Sequence, residues 1–222
     1  MRDAQQMPLS HDAVYDYLDA RVRKDVRDPV LDSMEEYADQ RSIPLIGRAA
    51  GRYLELAARS IGARRVFEMG SGLGYSSYWF ASAVGATGEV VCADEDRALH
   101  LLARRYLEGS PQWAPLRHVT GDVIASLDQT EDAFDIIFCD ELKDRYPACW
   151  RAAAERIRIG GLYVADNALW HGGVISGQDV SAQTAGYTEA VIEHGRLIAE
   201  DRRFISSLVP IRDGLLVALR VS

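Results

Sequence analysis

From Arg65 onward the chain alternates short apolar runs with stretches of helical spacing, and no other feature narrows the fold as much. Strand-like runs fall at Val66 to Met69, Glu89 to Ala93, Leu116 to Thr120, Phe134 to Cys139 and Leu162 to Ala165. Helical patterns fall at Tyr75 to Val84, Asp96 to Leu107 and Tyr146 to Ile159. Strands separated by helices line up parallel, and a parallel sheet is covered by helices on both faces. The tail departs from this rhythm. Phe204 to Val209 and Leu215 to Val221 are strand-like and joined by Pro210-Ile-Arg-Asp-Gly214, a turn signal that predicts an antiparallel pair. The expected fold class is α/β, a doubly wound mixed sheet, mostly parallel with an antiparallel C-terminal pair. Before it, His11 to Arg59 carries helical spacing in three pieces: Val14, Leu18 and Val22; Val30, Leu31, Met34 and Tyr37; then Leu45, Tyr53, Leu54 and Leu56. Asp28-Pro29 and Ile43-Pro44 punctuate these pieces. One domain is expected over residues 1–222, with a helical extension over 1–60 and the α/β core over 61–222. Gly172 to Gly186 is the long loop-like stretch.

Two of the strands end in oxygen-bearing side chains. Phe134-Asp-Ile-Ile-Phe-Cys-Asp140 runs on to Glu141-Leu-Lys143, and Gly160-Gly-Leu-Tyr-Val-Ala ends in Asp166-Asn167. Asp140, Asp166 and Asn167 offer only oxygen donors, which suit Mg²⁺, Mn²⁺ or Ca²⁺ and not zinc. Lys143 lies three residues beyond Asp140. It and Lys24 are the only lysines in the chain, with arginine at every other basic position apart from histidine. Arginine holds its proton in any protein, whereas a lysine beside a cation or in a dry pocket can lose it and act as a base.

The strand Val66 to Met69 runs into Gly70-Ser-Gly72-Leu-Gly74 and then a helical segment, the place where an α/β sheet binds a nucleotide. The spacing is G-x-G-x-G after Glu68. It is not the G-x-G-x-x-G of pyrophosphate binders, and no phosphate-loop lysine follows. The second strand ends in Asp94, spaced to bond ribose hydroxyls. The third ends in Gly121-Asp122, whose carboxylate could accept from an adenine amino group; helix N-capping is the other reading of both acids.

A net charge of -8 argues against a protein built to coat nucleic acid, and small-molecule chemistry fits better. Cys92, Cys139 and Cys149 are odd in number and lack metal spacing, as expected of a reducing cytosol. The N-terminus has no apolar run for export, and no stretch approaches a membrane span. A soluble, cytoplasmic protein is expected.

The runs Val66 to Ser76, Phe138 to Lys143 and Gly160 to Gly172, taken in order, resemble the cation-dependent O-methyltransferases of the catechol and caffeoyl-CoA type, from about Pro29 to the C-terminus. The resemblance implies a Rossmann-like methyltransferase fold with S-adenosylmethionine over Gly70 and Gly72. Glu68 and Ser76 would lie near its amino-acid end, Tyr75 and Asp140 in the same cofactor site, Asp94 on the ribose and Asp122 near adenine. It further implies that Asp140, Asp166 and Asn167 hold a divalent cation, Mg²⁺ or else Mn²⁺ or Ca²⁺, that Lys143 is the catalytic base, and that the protein is a homodimer. The acceptor would be a small molecule with a hydroxyl beside a second oxygen, a catechol or hydroxycinnamoyl compound, bound near Leu45 and Trp170. In this chain Glu141-Leu142 follows the metal Asp where the family usually has small residues.

Plainer readings compete. Trp170, Tyr146 and Trp150 are either an aromatic wall for the acceptor or core; His171 reads best as a loop histidine with a local hydrogen bond; Arg21, Arg23, Lys24 and Arg27 read as a solvated face. Within the resembling family, a tRNA 5-hydroxyuridine O-methyltransferase is the alternative, because Met34 to Pro44 is similar to such members. Against it stand the acidic total and the absence of an arginine run from Gln178 to Glu200. A nicotinamide-dependent dehydrogenase has the wrong glycine spacing, and a non-catalytic adenosine-binding module leaves Lys143 without a purpose.

Overall fold

A computed structural model describes residues 11–222 of the chain. Seven strands form one sheet: β1 Arg65–Met69, β2 Glu89–Asp94, β3 Leu116–Thr120, β4 Phe134–Cys139, β5 Ile157–Ala165, β6 Phe204–Val209 and β7 Leu215–Arg220. Their order is β3-β2-β1-β4-β5-β7-β6. The first five are parallel, and β7 pairs antiparallel with both β5 and β6. The strands alternate between two cores. Val66, Ile136, Phe138, Leu162 and Val164 face one side, and Phe67, Met69, Ile137, Tyr163 and Ala165 the other. Burial on both faces is what made these runs read as continuously apolar.

The N-terminal pieces form helices α1 (His11–Asp25), α2 (Pro29–Asp39) and α3 (Gly47–Ser60). Asp28 caps α2 by accepting from the Val30 N–H at 2.8 Å, with Pro29 in the first turn where its missing N–H costs nothing. Arg48 is 1% exposed and ties the three helices together: it donates to Glu35 at 2.7 and 3.1 Å, to Asp32, and to the Val26 carbonyl at 2.7 Å. Glu35 also accepts from the Tyr75 hydroxyl at 2.6 Å and pairs with Arg23 at 2.8 Å. Arg23 is therefore more than a solvated charge. Helix α4 (Tyr75–Val84) packs on α3 so closely that a Cβ on Gly51 would lie 2.2 Å from the Trp79 indole nitrogen.

The remaining helices are α5 (Arg97–Leu107), α6 (Val123–Asp128), α7 (Tyr146–Ala154), α8 (Gly173–Ser176) and α9 (Tyr187–Glu200). Helix α7 is shorter than the Tyr146 to Ile159 pattern, because Ile157 to Ile159 belong to β5. Ile157 pairs with Phe134 ahead of a register shift, and Gly160 follows at φ +78. No described helix is long and apolar enough to cross a membrane.

The chain runs outward from β1 through β2 to β3, then returns to β4 on the other side of β1. That reversal is the crevice where open α/β sheets bind ligands. The register sets Met69 against Cys139 and Cys139 against Ala165, so Gly70, Asp140 and Asp166 stand side by side at the carboxyl edge.

Candidate active site

Gly70, Gly72 and Gly74 all hold positive φ, at +87, +53 and +88, which glycine adopts without a Cβ clash. A Cβ at Gly70 would meet the Asp140 carbonyl oxygen at 2.3 Å, whereas one at Gly72 would meet nothing within 4 Å. The first glycine is required by the neighbouring strand, and the second leaves open space above the loop. That space is a cavity of about 330 Å³ lined by Leu45, Gly70 to Leu73, Tyr75, Ser76, Asp94, Asp140 and Lys143, with Ile43, Leu99 and Leu142 as apolar flanks. Asp94 shapes the loop: its Oδ2 accepts from the Gly72 N–H at 2.8 Å and its Oδ1 from Asp96 at 2.9 Å. The cap of α5 is Asp96, which frees Asp94 from that role.

Glu68 lies beneath the loop and off the cavity wall. Its side chain is fully buried, Oε2 accepts from the Ser77 hydroxyl, and Oε1 has no partner. Burial pushes its pKa up to about 7, opposed by the neighbouring Ser76 and Ser77 hydroxyls and the Cys92 thiol. Asp122 is also off this cavity. It caps α6 through the Ala125 N–H at 2.8 Å and pairs with Arg145, so the capping reading describes it.

At the neighbouring strand ends, Asp140 and Asp166 stand together. Asp166 is 1% exposed and neither carboxylate oxygen has a hydrogen-bond partner; its nearest cation is Arg212, 3.5 Å from Oδ2. Burial, then the Asp140 charge, raises its pKa to about 7, with Arg212 and Lys143 opposing. Asn167 holds φ +52 and donates its amide N–H to Asp213 Oδ2 at 3.1 Å, which leaves its carbonyl oxygen free to ligate. Among the described residues no group of three or more His, Cys, Asp and Glu could hold a metal. The set here is two carboxylates and an amide, and the two orphaned oxygens of Asp166 fit a hard cation that would satisfy them.

Lys143 is buried, and its three donors are all used: Asp140 Oδ1 at 3.0 Å, the Glu141 carbonyl at 3.0 Å and the Tyr146 hydroxyl at 2.8 Å. The Tyr146 hydroxyl in turn donates a hydrogen bond to the Asp166 backbone carbonyl oxygen at 3.0 Å. Behind it, His194 bonds Tyr163 at 2.9 Å, and burial, reinforced by Lys143, lowers its pKa to about 3.

A second cavity, about 540 Å³, is lined by Tyr15, Leu169, His171, Gly172, Ile175, Arg212 and Asp213. Trp170 is absent from it: the ring is buried against Tyr187 and His171, and Tyr146 and Trp150 are buried in the same core, as the packing reading of these aromatics has it. His171 is exposed, and its backbone N–H donates to Asp213 at 2.7 Å, a local role as expected. Tyr15, Arg212 and Asp213 went unread in the sequence beyond the turn signal around Gly214.

Residues 25–221 match the family model of the O-methyltransferases. Caffeoyl-CoA O-methyltransferase 2 of Petunia hybrida is 28% identical over 224 residues, covering 96% of this chain and 93% of that protein. The crystal structure of a putative O-methyltransferase from Klebsiella pneumoniae superposes with a TM-score of 0.81 at 26% identity, covering 95% of this chain and 97% of the other. The O-methyltransferase TomG from Streptomyces achromogenes, solved in complex with S-adenosylmethionine, shares the fold at a TM-score of 0.83 and 22% identity, covering 96% and 100%.

Proposed function

The chain belongs to the O-methyltransferase family, and from that premise we propose that it moves a methyl group from S-adenosylmethionine to a hydroxyl lying beside a second oxygen on a small acceptor, with a divalent cation at Asp140, Asp166 and Asn167. The observation that carries this reading is Asp166, a buried carboxylate whose two oxygens accept no hydrogen bond, beside Asp140 and next to the glycine-loop cavity. The loop at Gly70 to Gly74 and Asp94 support the cofactor: Gly72 leaves its face open, and Asp94 retains acceptor capacity at the rim. A cation bound there would supply Lewis-acid chemistry, orienting the two acceptor oxygens and lowering the hydroxyl pKa.

The chain's own residues handle alignment and the proton. Methyl transfer from a sulfonium is an in-line displacement, so acceptor and donor must be held by fixed elements. Both sites stand on adjacent strand ends, which supplies that rigidity. When Asp140 is engaged as a ligand, Lys143 keeps two partners, the Glu141 carbonyl and Tyr146. A neutral amine has two N–H groups for those and one lone pair for the acceptor's proton, so Lys143 serves as general base. From the family resemblance we also propose a cytoplasmic homodimer, and sedimentation of the purified chain tests its oligomeric state.

Methyl transfer from labelled donor to a 1,2-dihydroxybenzene tests the whole. Asp166→Ala should abolish metal-stimulated turnover and leave S-adenosylmethionine binding, read by calorimetry, within a few-fold of wild type. Mg²⁺ or Mn²⁺ should restore a stripped enzyme, and zinc should do so poorly. Wild-type turnover that survives saturating chelator would overturn the metal assignment, and absence of cofactor binding would overturn the donor.

A further inference from the structure

Five non-glycine residues hold positive φ among the described residues; four of them are Asn167, Trp170, His171 and Arg212, of which His171 and Arg212 line the second cavity while Asn167 and Trp170 lie on the loop that leads into it. Such backbone is strained for a residue with a Cβ and persists only where the surroundings impose it, often at ligand sites. Arg212 is the most telling of the four. At φ +54, in a tight turn that ends in Gly214, glycine would be free of strain, yet the position carries the longest of side chains.

The polar groups on this cavity are few. Asp213 has one oxygen taken by Asn167 and the other by the His171 N–H. Tyr15 is a phenol whose pKa is raised by burial and then by Asp19. His171 stands 3.9 Å from Asp213 at the exposed mouth. Arg212 makes no hydrogen bond among the described residues, and its one ion pair is the 3.5 Å contact to Asp166. The rest of the lining, Leu169, Gly172 and Ile175, carries no polar side chain.

Resting on the reading of Asp166 as a cation ligand, we infer that Arg212 is a specificity-determining residue that receives an acidic group of the methyl acceptor, so that the acceptor is a small carboxylate-bearing 1,2-dihydroxyaromatic. A dication on Asp166 would repel the guanidinium and compete for the carboxylate, and the 3.5 Å contact to Arg212 is longer than a charge-assisted hydrogen bond. Arg212 then faces a half-apolar cavity whose one carboxylate, Asp213, is already engaged by Asn167 and the His171 N–H, and a planar guanidinium pairs best with a carboxylate, through two parallel N–H bonds. Leu169 and Ile175 offer apolar contact to a ring. A cavity of about 540 Å³ suits a single-ring or cinnamate-sized acid. The thioester of a large nucleotide carrier would bring anionic phosphates as well, and the test separates the two.

Binding is measured by calorimetry in Mg²⁺ with a non-reactive donor product, S-adenosylhomocysteine, for 3,4-dihydroxybenzoate, catechol and caffeoyl-CoA, on wild type and Arg212→Gly. The glycine variant removes the guanidinium and relieves the φ strain, so it should fold at least as well. Wild type should bind the acid at least tenfold more tightly than catechol, and the variant should bind the two equally. Mn²⁺ affinity, read by electron paramagnetic resonance, should be unchanged or tighter in the variant, which excludes a damaged metal site. Wild type that fails to bind Mn²⁺ would overturn the metal reading itself. Mn²⁺ binding with no preference for the acid, or a preference that survives Arg212→Gly, would overturn the role of Arg212 alone. If caffeoyl-CoA binds more tightly than the acid and loses that advantage in the variant, the anion Arg212 meets is a phosphate and the carboxylate assignment is overturned.

Discussion

Glu68→Gln should change how stability depends on pH, with little else altered in shape. The carboxyl is fully buried beneath the glycine loop, and burial raises its pKa from 4.5 to about 7. Between those values the unfolded chain has released the proton and the folded protein still holds it, so stability is full below about pH 4.5 and falls as pH rises toward 7. At about 1.36 kcal/mol per unit the whole fall is roughly 3 kcal/mol, since the group has no exposed surface to screen it. Glutamine cannot ionise and lacks this fall. Its amide must find acceptors next to Ser77, a penalty of about 1–3 kcal/mol that is the same at every pH. Urea unfolding of both proteins without ligand, at intervals from pH 4.5 to 8, isolates the effect, because other titrating groups cancel in the difference. The variant should gain roughly 3 kcal/mol relative to wild type across that range, about 6–12 °C in Tm for a chain of this length. Parallel stability curves would refute the reasoning and mean that Glu68 is ionised, compensated by an unseen partner for Oε1.

Lys143→Arg should be nearly as damaging as Lys143→Ala, with turnover down about 10² to 10⁴-fold, since a guanidinium keeps the charge but cannot take a proton; the loss should shrink as assay pH rises. Near wild-type turnover in Lys143→Arg at neutral pH would remove this residue as the base. Asp94→Ala should weaken S-adenosylmethionine by about 2 kcal/mol in calorimetry, through lost charged hydrogen bonds and a loosened Gly72. Arg48→Ala should cost about 3 kcal/mol in urea unfolding, because half-buried Glu35 loses its main partner. A change below about 1 kcal/mol would mean that Arg23 and Tyr75 suffice for Glu35.

The parts of the site that were legible in the sequence are those fixed by local grammar. A strand that ends in glycine, aspartate or asparagine announces a carboxyl edge, and Gly70, Asp94, Asp140 and Asp166 all stand there. The Pro29 and Pro44 punctuation likewise marked where α2 begins and where the chain turns before α3. What escaped is non-local. Asp213 reaches Asn167 only because β7 pairs antiparallel with β5, bringing together residues 46 apart in sequence. Trp170 was ambiguous because an aromatic residue on a loop looks alike whether it faces a ligand or the core, and packing on Tyr187 of α9 settles it. The end of α7 was misjudged since Ile157 and Ile159 suit helical and extended spacing equally, and pairing with β4 decides.

The near-contact between Gly70 and the Asp140 carbonyl means that the two loops touch through main chain alone. On the proposed reading, the reach from methyl donor to acceptor oxygen is therefore inherited from the neighbour relation of β1 and β4, and no side chain sets it. The acceptor wall, by contrast, comes from α1, the segment around α8 and the β6–β7 turn, none of which takes part in that contact. Such a division lets mutation exchange one acceptor for another at Tyr15, Ile175 or Arg212 without having to solve the alignment problem again. Substitution at Gly70 has no such freedom, since any Cβ would push donor and acceptor halves apart at once.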